Sequence, residues 1–455
     1  MGNRILIYNV EIVTAGRVPT LGRVIVDGDT IEAVEANSTP DGVAADIKID
    51  GHGALLLPGG IDEHVHFREP GMTEKATIET ESLAAVAGGV TSYLEMPNVV
   101  PPTTSMDLLD EKMAIAAKTS AANYGFYIGA TSSNIDRLAT LDYSRVAGVK
   151  LFIGATTGSL VLDDDELLEK LFSSVPALIA VHAEDNVLIE ISKQQLLDEQ
   201  GGGSDLPIEM HPRVRSRQAC LEATRRAISL AEKHNARLHI MHISTADELS
   251  LLTAGNPVNK RITSETCPQY LLFDSSDYKR LGARIKCNPA IKDKADREAL
   301  IKAIKTGLID VIATDHAPHL LSDKQGGALK ATSGMPMVQF SMPLMLDLFG
   351  PEIVADKMSA APAKMFGIER RGEIVPGFYA DLVMIERLDE PCVITDDEVV
   401  GKCGWTPVAG MSTNHRVVLT LVNGSVAWSL IDGIKQQPLA AKPLKFNNNN
   451  TIKHY

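Results

Sequence analysis

Gly60-Ile61-Asp62-Glu63-His64-Val65 is followed by the helical pattern Glu74 to Ala87 and then by Thr91-Ser92-Tyr93-Leu94-Glu95-Met96. A β-like apolar run, a polar loop, a helical segment and a second β-like run make one strand-helix-strand unit, the connection that parallel strands require. The unit repeats outward along the chain. Further candidate strands are Asn123 to Ile128, Val146 to Phe152, Leu178 to Val181, Arg237 to His242, Ile262 to Thr266 and Val311 to Thr314. Helical patterns lie between them, for example Ser105 to Thr119, Arg215 to His234 and Ala295 to Lys305. Eight candidate strands in all favour an α/β fold of the (β/α)8 TIM-type barrel.

The flanks read differently. Arg4 to Val13, Arg23 to Val26 and Thr30 to Glu35 are short strand patterns, the last two joined across Asp27-Gly28-Asp29, with no helix between them. Past about Gly367 the β pattern returns in Ala380 to Ile385 and His415 to Val422, which turns through Asn423-Gly424 into Val426-Ala427-Trp428. The expectation is a small β-sandwich built from residues 1–57 and 367–446, beside a barrel of residues 58–366 and ahead of a polar tail, 447–455.

A chain of 455 residues, 44% hydrophobic and 22% charged, has the size and balance of a soluble enzyme with one large barrel and an accessory unit. Asp and Glu number 58 against 44 Lys and Arg, and the net charge of −14 disfavours nucleic acid or anionic lipid as the main partner. The five cysteines, Cys220, Cys267, Cys287, Cys392 and Cys403, form no Cys-x-x-Cys pair and suggest a reducing compartment. No stretch reaches the ~18 apolar residues of a membrane span, and Met1 to Val13 lacks a signal core, so a cytoplasmic protein is expected.

In a barrel of this type the chemistry lies at the C-terminal ends of the strands, under the loops of that face. Five of the eight candidate strands end there in potential metal ligands: His64 and His66, Lys150, His182, His242 and Asp315. His64 and His66 are two apart and share a face. His239 is an odd number of positions from His242 and is expected to face the helix layer as a packed histidine. Taken singly, each ligand candidate has a plainer reading. A lone His at the end of an apolar strand is more often a hydrogen-bonded core residue, a lysine there snorkels to the mouth, and Asp315 suits a turn ahead of Pro318. Lys150 also has a functional alternative, in which CO₂ carbamylates its amine and converts a cation into an anionic ligand.

These residues belong to longer motifs. Pro58-Gly59-Gly60-Ile61-Asp62-Glu63-His64-Val65-His66-Phe67-Arg68-Glu69-Pro70-Gly71 resembles the signature of the dihydroorotases, in the cyclic amidohydrolase branch of the amidohydrolase superfamily. Glu95-Met96-Pro97-Asn98, Gly148-Val149-Lys150, Val181-His182-Ala183-Glu184, His239-Ile240-Met241-His242-Ile243-Ser244-Thr245 and Ala313-Thr314-Asp315-His316-Ala317-Pro318-His319 match in the same order. The resemblance covers nearly the whole chain. It implies two zinc ions, one held by His64, His66 and Asp315 and the other by His182 and His242, bridged by carbamylated Lys150 and a hydroxide. It also implies Asp315 as the group that moves a proton, and a homo-oligomer, dimer or tetramer.

The implied reaction is the reversible hydrolysis of dihydroorotate to N-carbamoyl-L-aspartate in pyrimidine biosynthesis. Hydantoinases, dihydropyrimidinases and allantoinases share the metal ligands, so the small-molecule substrate rests on other residues. Arg68, Asn98 and His319 match those that grip a substrate carboxylate, which a planar guanidinium can fork with two bonds. Plainer readings exist here too: a salt bridge from Arg68 to Glu69 or Glu74, and a pre-proline turn for Asn98. Asn288 resembles the residue that hydrogen-bonds the pyrimidine ring. The chain departs from the family pattern at Ala290-Ile291-Lys292, at Gln269-Tyr270, where many relatives have a His pair, and across Ser333 to Gln339. A different class of reading, a catalytically dead scaffold, would call for lost ligands, and none is lost.

Overall fold

The computed structural model describes residues 4–154, 160–434, 436 and 440–447, so all of the expected polar tail but Asn447 lies outside the described residues. The chain opens with β1 (Arg4–Thr14), β2 (Arg17–Asp27), β3 (Thr30–Glu35), β4 (Ile47–Asp50) and β5 (Leu55–Pro58). The central strands are β6 (Gly60–Val65), β7 (Val90–Glu95), β8 (Asn123–Phe126), β9 (Ile128–Gly129), β10 (Val149–Ile153), β11 (Ile179–Ala183), β12 (Leu238–Ile240), β13 (Ile262–Thr266) and β14 (Val311–Ile312). β15 (Leu382–Val393), β16 (Ser412–Val422) and β17 (Ser425–Ser429) follow.

β6, β7 and β8 pair in one sheet and β9 to β14 in another, each strand beside the next and all parallel. β8 and β9 divide the third expected strand at Tyr127, whose N–H still donates to Glu95 O at 3.1 Å. A parallel bridge pairs Val65 with His316, where His66 N donates to His316 O at 2.7 Å, so the end of β6 meets the segment that follows β14. Every residue of β6, β7, β10 and β11 is buried, as parallel strands covered by helices require. The crossover helices start where polar side chains cap them: Thr77 before Ile78–Ala87, Ser105 before Met106–Thr119 and Ser216 before Arg217–His234.

The strands from the two ends of the chain join in one sheet, in the order β17-β16-β15-β5-β1-β2-β3, with β4 beside β1. The expected sandwich is therefore one continuous sheet that curls on itself. Val24, Val26 and Ile31 share a core with Leu419, Leu421 and Val426 from the opposite end of the sheet. The β16-β17 turn has φ of 47° at Asn423 and 74° at Gly424, the left-handed pair that a two-residue hairpin demands. A Cβ on Gly424 would lie 2.0 Å from Gly28 O, so only glycine lets this tip touch the β2-β3 turn. Among the described residues no helix is long and apolar enough to cross a membrane.

Asp381 fastens this sheet to the parallel strands. Its carboxylate pairs with Arg371, accepts from Asn123 Nδ2 at 3.2 Å in β8 and from Asn423 N at 2.8 Å. The Arg371 and Asp381 side chains are only 4% and 3% exposed, so removing one leaves the other charged and dry. Asp381→Ala should cost about 3–5 kcal/mol of stability, the usual penalty for stranding one member of a buried pair. Urea unfolding checks this, and a loss under about 1 kcal/mol would mean that water reaches Arg371.

Candidate metal centre and substrate pocket

All ten sequence-predicted site residues line one cavity of about 650 Å³: His64, His66, Arg68, Asn98, Lys150, His182, His242, Asn288, Asp315 and His319. Lys150 lies within β10, His64 and His182 near the ends of β6 and β11, and the others in the segments that follow β6, β7, β12, β13 and β14. Arg68, His242 and Asp315 have φ of 68°, 42° and 47°, a left-handed backbone that non-glycine residues seldom adopt. Such strain is retained where the surroundings hold it.

His64 Nε2 and His66 Nε2 lie 3.3 and 3.1 Å from Asp315 Oδ1. Their ligand atoms are within 4.8 Å of one another, close enough to hold one cation. His182 Nδ1 and His242 Nε2 are 2.8 Å apart, and the His64 and His242 rings are 5.4 Å apart between centroids. Buried His242 Nδ1 has no hydrogen-bond partner among the described residues. Four imidazoles and a carboxylate, with an orphaned ring nitrogen, are a donor set that fits borderline divalent metals.

Lys150 is 1% exposed, and its Nζ sits 2.5 Å from Met241 Sδ with no carboxylate in ion-pair range among the described residues. Burial pushes its ammonium down to about 8. Its charge is felt at His64, His182 and His242, so it lies near both groups of histidines. Asp315 is held below the usual carboxylate range: burial alone would raise it, but His64 and His66 prevail.

Arg68 pairs with neither Glu69 nor Glu74. Its Nε donates to Pro318 O at 3.1 Å and its Nη2 meets His319 Nε2 at 3.0 Å, while among the described residues no carboxylate lies in ion-pair range. The guanidinium is 7% exposed, and burial lowers it to about 10. His319 is forced far below the ordinary imidazole value by burial, then by Arg68 and Lys75. Asn98 Oδ1 meets His66 Nδ1 at 2.8 Å, so this side chain also steadies a histidine. Asn288 Oδ1 is buried without a partner among the described residues.

The parity argument for His239 fails. β12 ends at Ile240 and His242 lies beyond it with positive φ, so the two histidines do not belong to one regular strand. Leu238 and Ile240 pack with the helix residues Ala223, Ala227 and Ala231. His239 instead meets Glu63 of β6 at 3.0 Å, across the interior from a strand that is not its neighbour. Register shifts in β6 between Asp62 and Val65 let Glu63 and His64 both make such contacts. Burial and the adjacent Glu265 push Glu63 upward, while His64 and His239 hold Glu265 down against its own burial.

Sequence reasoning missed Glu265 and the Glu184–Arg215 pair. Glu184 shares the strand phase of His182, a signal that was present, and accepts from Arg215 at 2.5 Å and meets His182 Nε2 at 3.0 Å. Burial would raise it, but Arg215 and His182 hold it at about 2.

An amidohydrolase family model matches residues 55–427. The chain belongs to the amidohydrolase family. A dihydroorotase of Methanosarcina acetivorans is 35% identical over 412 residues, 87% of this chain and 86% of that one. An allantoinase of Rubrobacter xylanophilus is 33% identical over 429 residues, 91% and 93% of the two chains. The solved L-hydantoinase of Arthrobacter aurescens superposes with a TM-score of 0.89 at 25% identity, covering 97% of this chain and all of that one. This amidohydrolase is accordingly a cyclic amidohydrolase with a TIM-type barrel and a β-rich domain.

Residues 328–334 form one wall of the cavity of this amidohydrolase. Asp205 anchors that wall, accepting from Gly327 N at 2.7 Å, Leu329 N at 2.9 Å and Leu206 N at 2.9 Å. Burial opposes ionisation, but these N–H groups hold its carboxyl below the ordinary value. A depressed folded-state pKa gives stability that is present above the unfolded value of about 3.9 and lost as pH falls through the folded one. Asp205→Ala should therefore cost about 1–3 kcal/mol at neutral pH, with the deficit shrinking below pH of about 4. Paired urea titrations check the sign, and a deficit that widens in acid would refute it.

Proposed function

We propose that the chain is a zinc-dependent dihydroorotase, which opens the cyclic amide of dihydroorotate to N-carbamoyl-L-aspartate and closes it again. The observation that carries this reading is Arg68, a buried guanidinium with three of its five N–H donors unused by the protein and no counterion among the described residues. An anionic ligand supplies what it lacks. Neutral allantoin or a hydantoin would leave the charge stranded, at several kcal/mol. The dihydroorotase relatives favour the same substrate, whereas the allantoinase relatives and hydantoinase structures keep the neutral cyclic amides as the competing reading.

We assign the eight parallel strands to a closed barrel of residues 58–366, with residues 1–57 and 367–446 in the β-domain. His64, His66 and Asp315 are proposed to hold one metal and His182 and His242 the second, with carbamylated Lys150 between them. Support for the carbamate is the burial of Lys150 without an anionic partner and its lowered pKa, which leaves neutral amine to react with CO₂. When bound, the metals supply Lewis acidity and lower the pKa of water at the site. Free cysteines throughout the described residues agree with a cytoplasmic setting.

The residues of the chain divide the remaining work. Arg68, Asn98 and His319 bind the substrate carboxylate, and Asn288 Oδ1 accepts a ring N–H, fixing which carbonyl meets Asp315. Asp315, kept ionised by His64 and His66, takes the proton of the attacking water. As the amide C–N bond breaks, Asp315 returns that proton to the leaving ring nitrogen, and the carbonyl carbon becomes a carboxylic acid that ionises by releasing the second proton of the water to solvent. Ring closure runs the same steps backward.

Protein purified without chelator should carry about two equivalents of divalent metal per chain, and Lys150→Ala should lose at least one of them together with activity. Metal analysis and turnover check this, and an alanine variant with both ions and full rate would remove the bridge. Arg68→Met should keep its metals yet lose roughly 10²–10⁴ in kcat/KM for dihydroorotate, equally in both directions. Assays on dihydroorotate, allantoin and hydantoin decide the substrate. Wild-type kcat/KM for dihydroorotate in Arg68→Met would transfer the assignment to a neutral ring.

A further inference from the structure

We propose that Glu265 is a positioning residue that sets the two histidine groups of the metal centre through a single carboxylate oxygen, with Glu63 and His239 as its clamp. The inference rests on the metal reading above. Glu265 is wholly buried on β13, and neither it nor Glu63 nor His239 lines the cavity, so none of the three touches substrate.

Oε1 of Glu265 lies 2.6 Å from His64 Nδ1 and accepts from His242 N at 3.0 Å. One proposed ligand from each group therefore depends on this oxygen. A carboxylate at Nδ1 makes that nitrogen the donor and leaves the lone pair on His64 Nε2, which faces Asp315 at 3.3 Å. At His242 the carboxylate holds a backbone N–H rather than the ring. That residue has φ of 42°, and the bond retains the turn that brings its Nε2 to 2.8 Å from His182 Nδ1.

Oε2, the other oxygen, has no hydrogen bond among the described residues and lies 3.5 Å from His239 Nε2. His239 is itself pinned by Glu63 Oε1 at 3.0 Å and Thr263 Oγ1 at 2.9 Å. Tyr127 Oη donates to Glu63 O at 3.1 Å and closes the group from the third strand. Residues of β6, β13 and the third strand thus hold His239 of β12 beside Oε2, while Oε1 serves His64 and His242.

Two measurements test this. In ¹H–¹⁵N NMR of the metal-free protein, the His64 Nδ1–H should be a hydrogen-bonded, exchange-protected proton, and Glu265→Gln should weaken that protection. In competition with a chromophoric chelator, Glu265→Gln should bind zinc about 10–100-fold more weakly, with the Tm of the metal-free protein little changed. Should Glu265→Gln not fold, Glu63→Gln reads the same clamp and should weaken zinc binding by a smaller factor. Unchanged zinc affinity and an unchanged His64 Nδ1–H signal in the variants would overturn the proposal. A protected Nδ1–H that depends on Glu265, in a wild-type protein that binds no zinc, would uphold the positioning role and instead overturn the metal reading.

Discussion

Asp62 joins the first parallel strand to the last, and the site depends on that seam. Its carboxylate accepts from Thr314 Oγ1 at 2.6 Å and Thr314 N at 3.0 Å, a contact between residues 252 apart in sequence. A weaker bond from His64 N at 3.3 Å turns the same carboxylate toward the first ligand pair. His66 and Asp315 follow directly on the two joined segments. The seam therefore fixes the distance between the histidines and the aspartate before any ligand arrives. Burial raises Asp62 to about 6 despite these bonds, a sign of how costly a dry carboxylate is even when well partnered.

The rest of the interior follows the same economy of charge. Glu95 faces Lys112, Glu81 meets His316 at 2.8 Å, and Glu184 is matched by Arg215. Each pair braces a loop of the cavity: Lys112 Nζ also donates to Met96 O at 3.0 Å, and Glu95 Oε1 accepts from Phe67 N at 3.1 Å, next to Arg68. Of the buried cations without a carboxylate partner among the described residues, Lys286, Lys292 and Lys324 reach backbone carbonyls, whereas Lys150 meets only Met241 Sδ and Arg68 a carbonyl and an imidazole. Buried cations without anions are expensive in a finished protein, so the presence of these last two points to partners that arrive from outside the chain.

Much of this was legible in the sequence because it depends on order and phase. β6 and β13 fall at their expected limits, and the helices beginning after Ser105 and Ser216 start within two residues of expectation, since their cap residues are local signals. The ten cavity residues could be gathered because barrel topology brings strand ends together wherever they lie in the chain. What failed were inferences that assumed an unbroken strand. The register shift in β6 and the positive φ of His242 are tertiary in origin, and they turned His239 inward where strict alternation placed it outward. Glu265 was overlooked for a related reason: a lone acid in a short strand carries no local mark of what it will face. The single curled sheet formed by the chain ends was also hidden, because pairings such as β5 with β15 join residues more than 300 positions apart.

The net charge of −14 is at odds with the proposed anionic substrate until pairing is considered. Salt screens the long-range repulsion beyond about 8–10 Å, so recognition is decided at contact. Several cations line the cavity, but most are already engaged. Lys193 donates to Glu190 at 2.8 Å, Arg215 to Glu184 at 2.5 Å and Lys330 to Ser204 Oγ at 2.8 Å, while Lys286 donates to Ala331 O. A carboxylate bound at one of these must compete with a bond that exists. Arg68 and Lys286 are held by neutral groups alone, and Arg68 differs in keeping, among the described residues, three N–H donors of a planar fork free for a carboxylate. Under the proposed function, discrimination between an acidic and a neutral cyclic amide resides in which cation the fold leaves unpaired, and far less in how many cations surround the pocket.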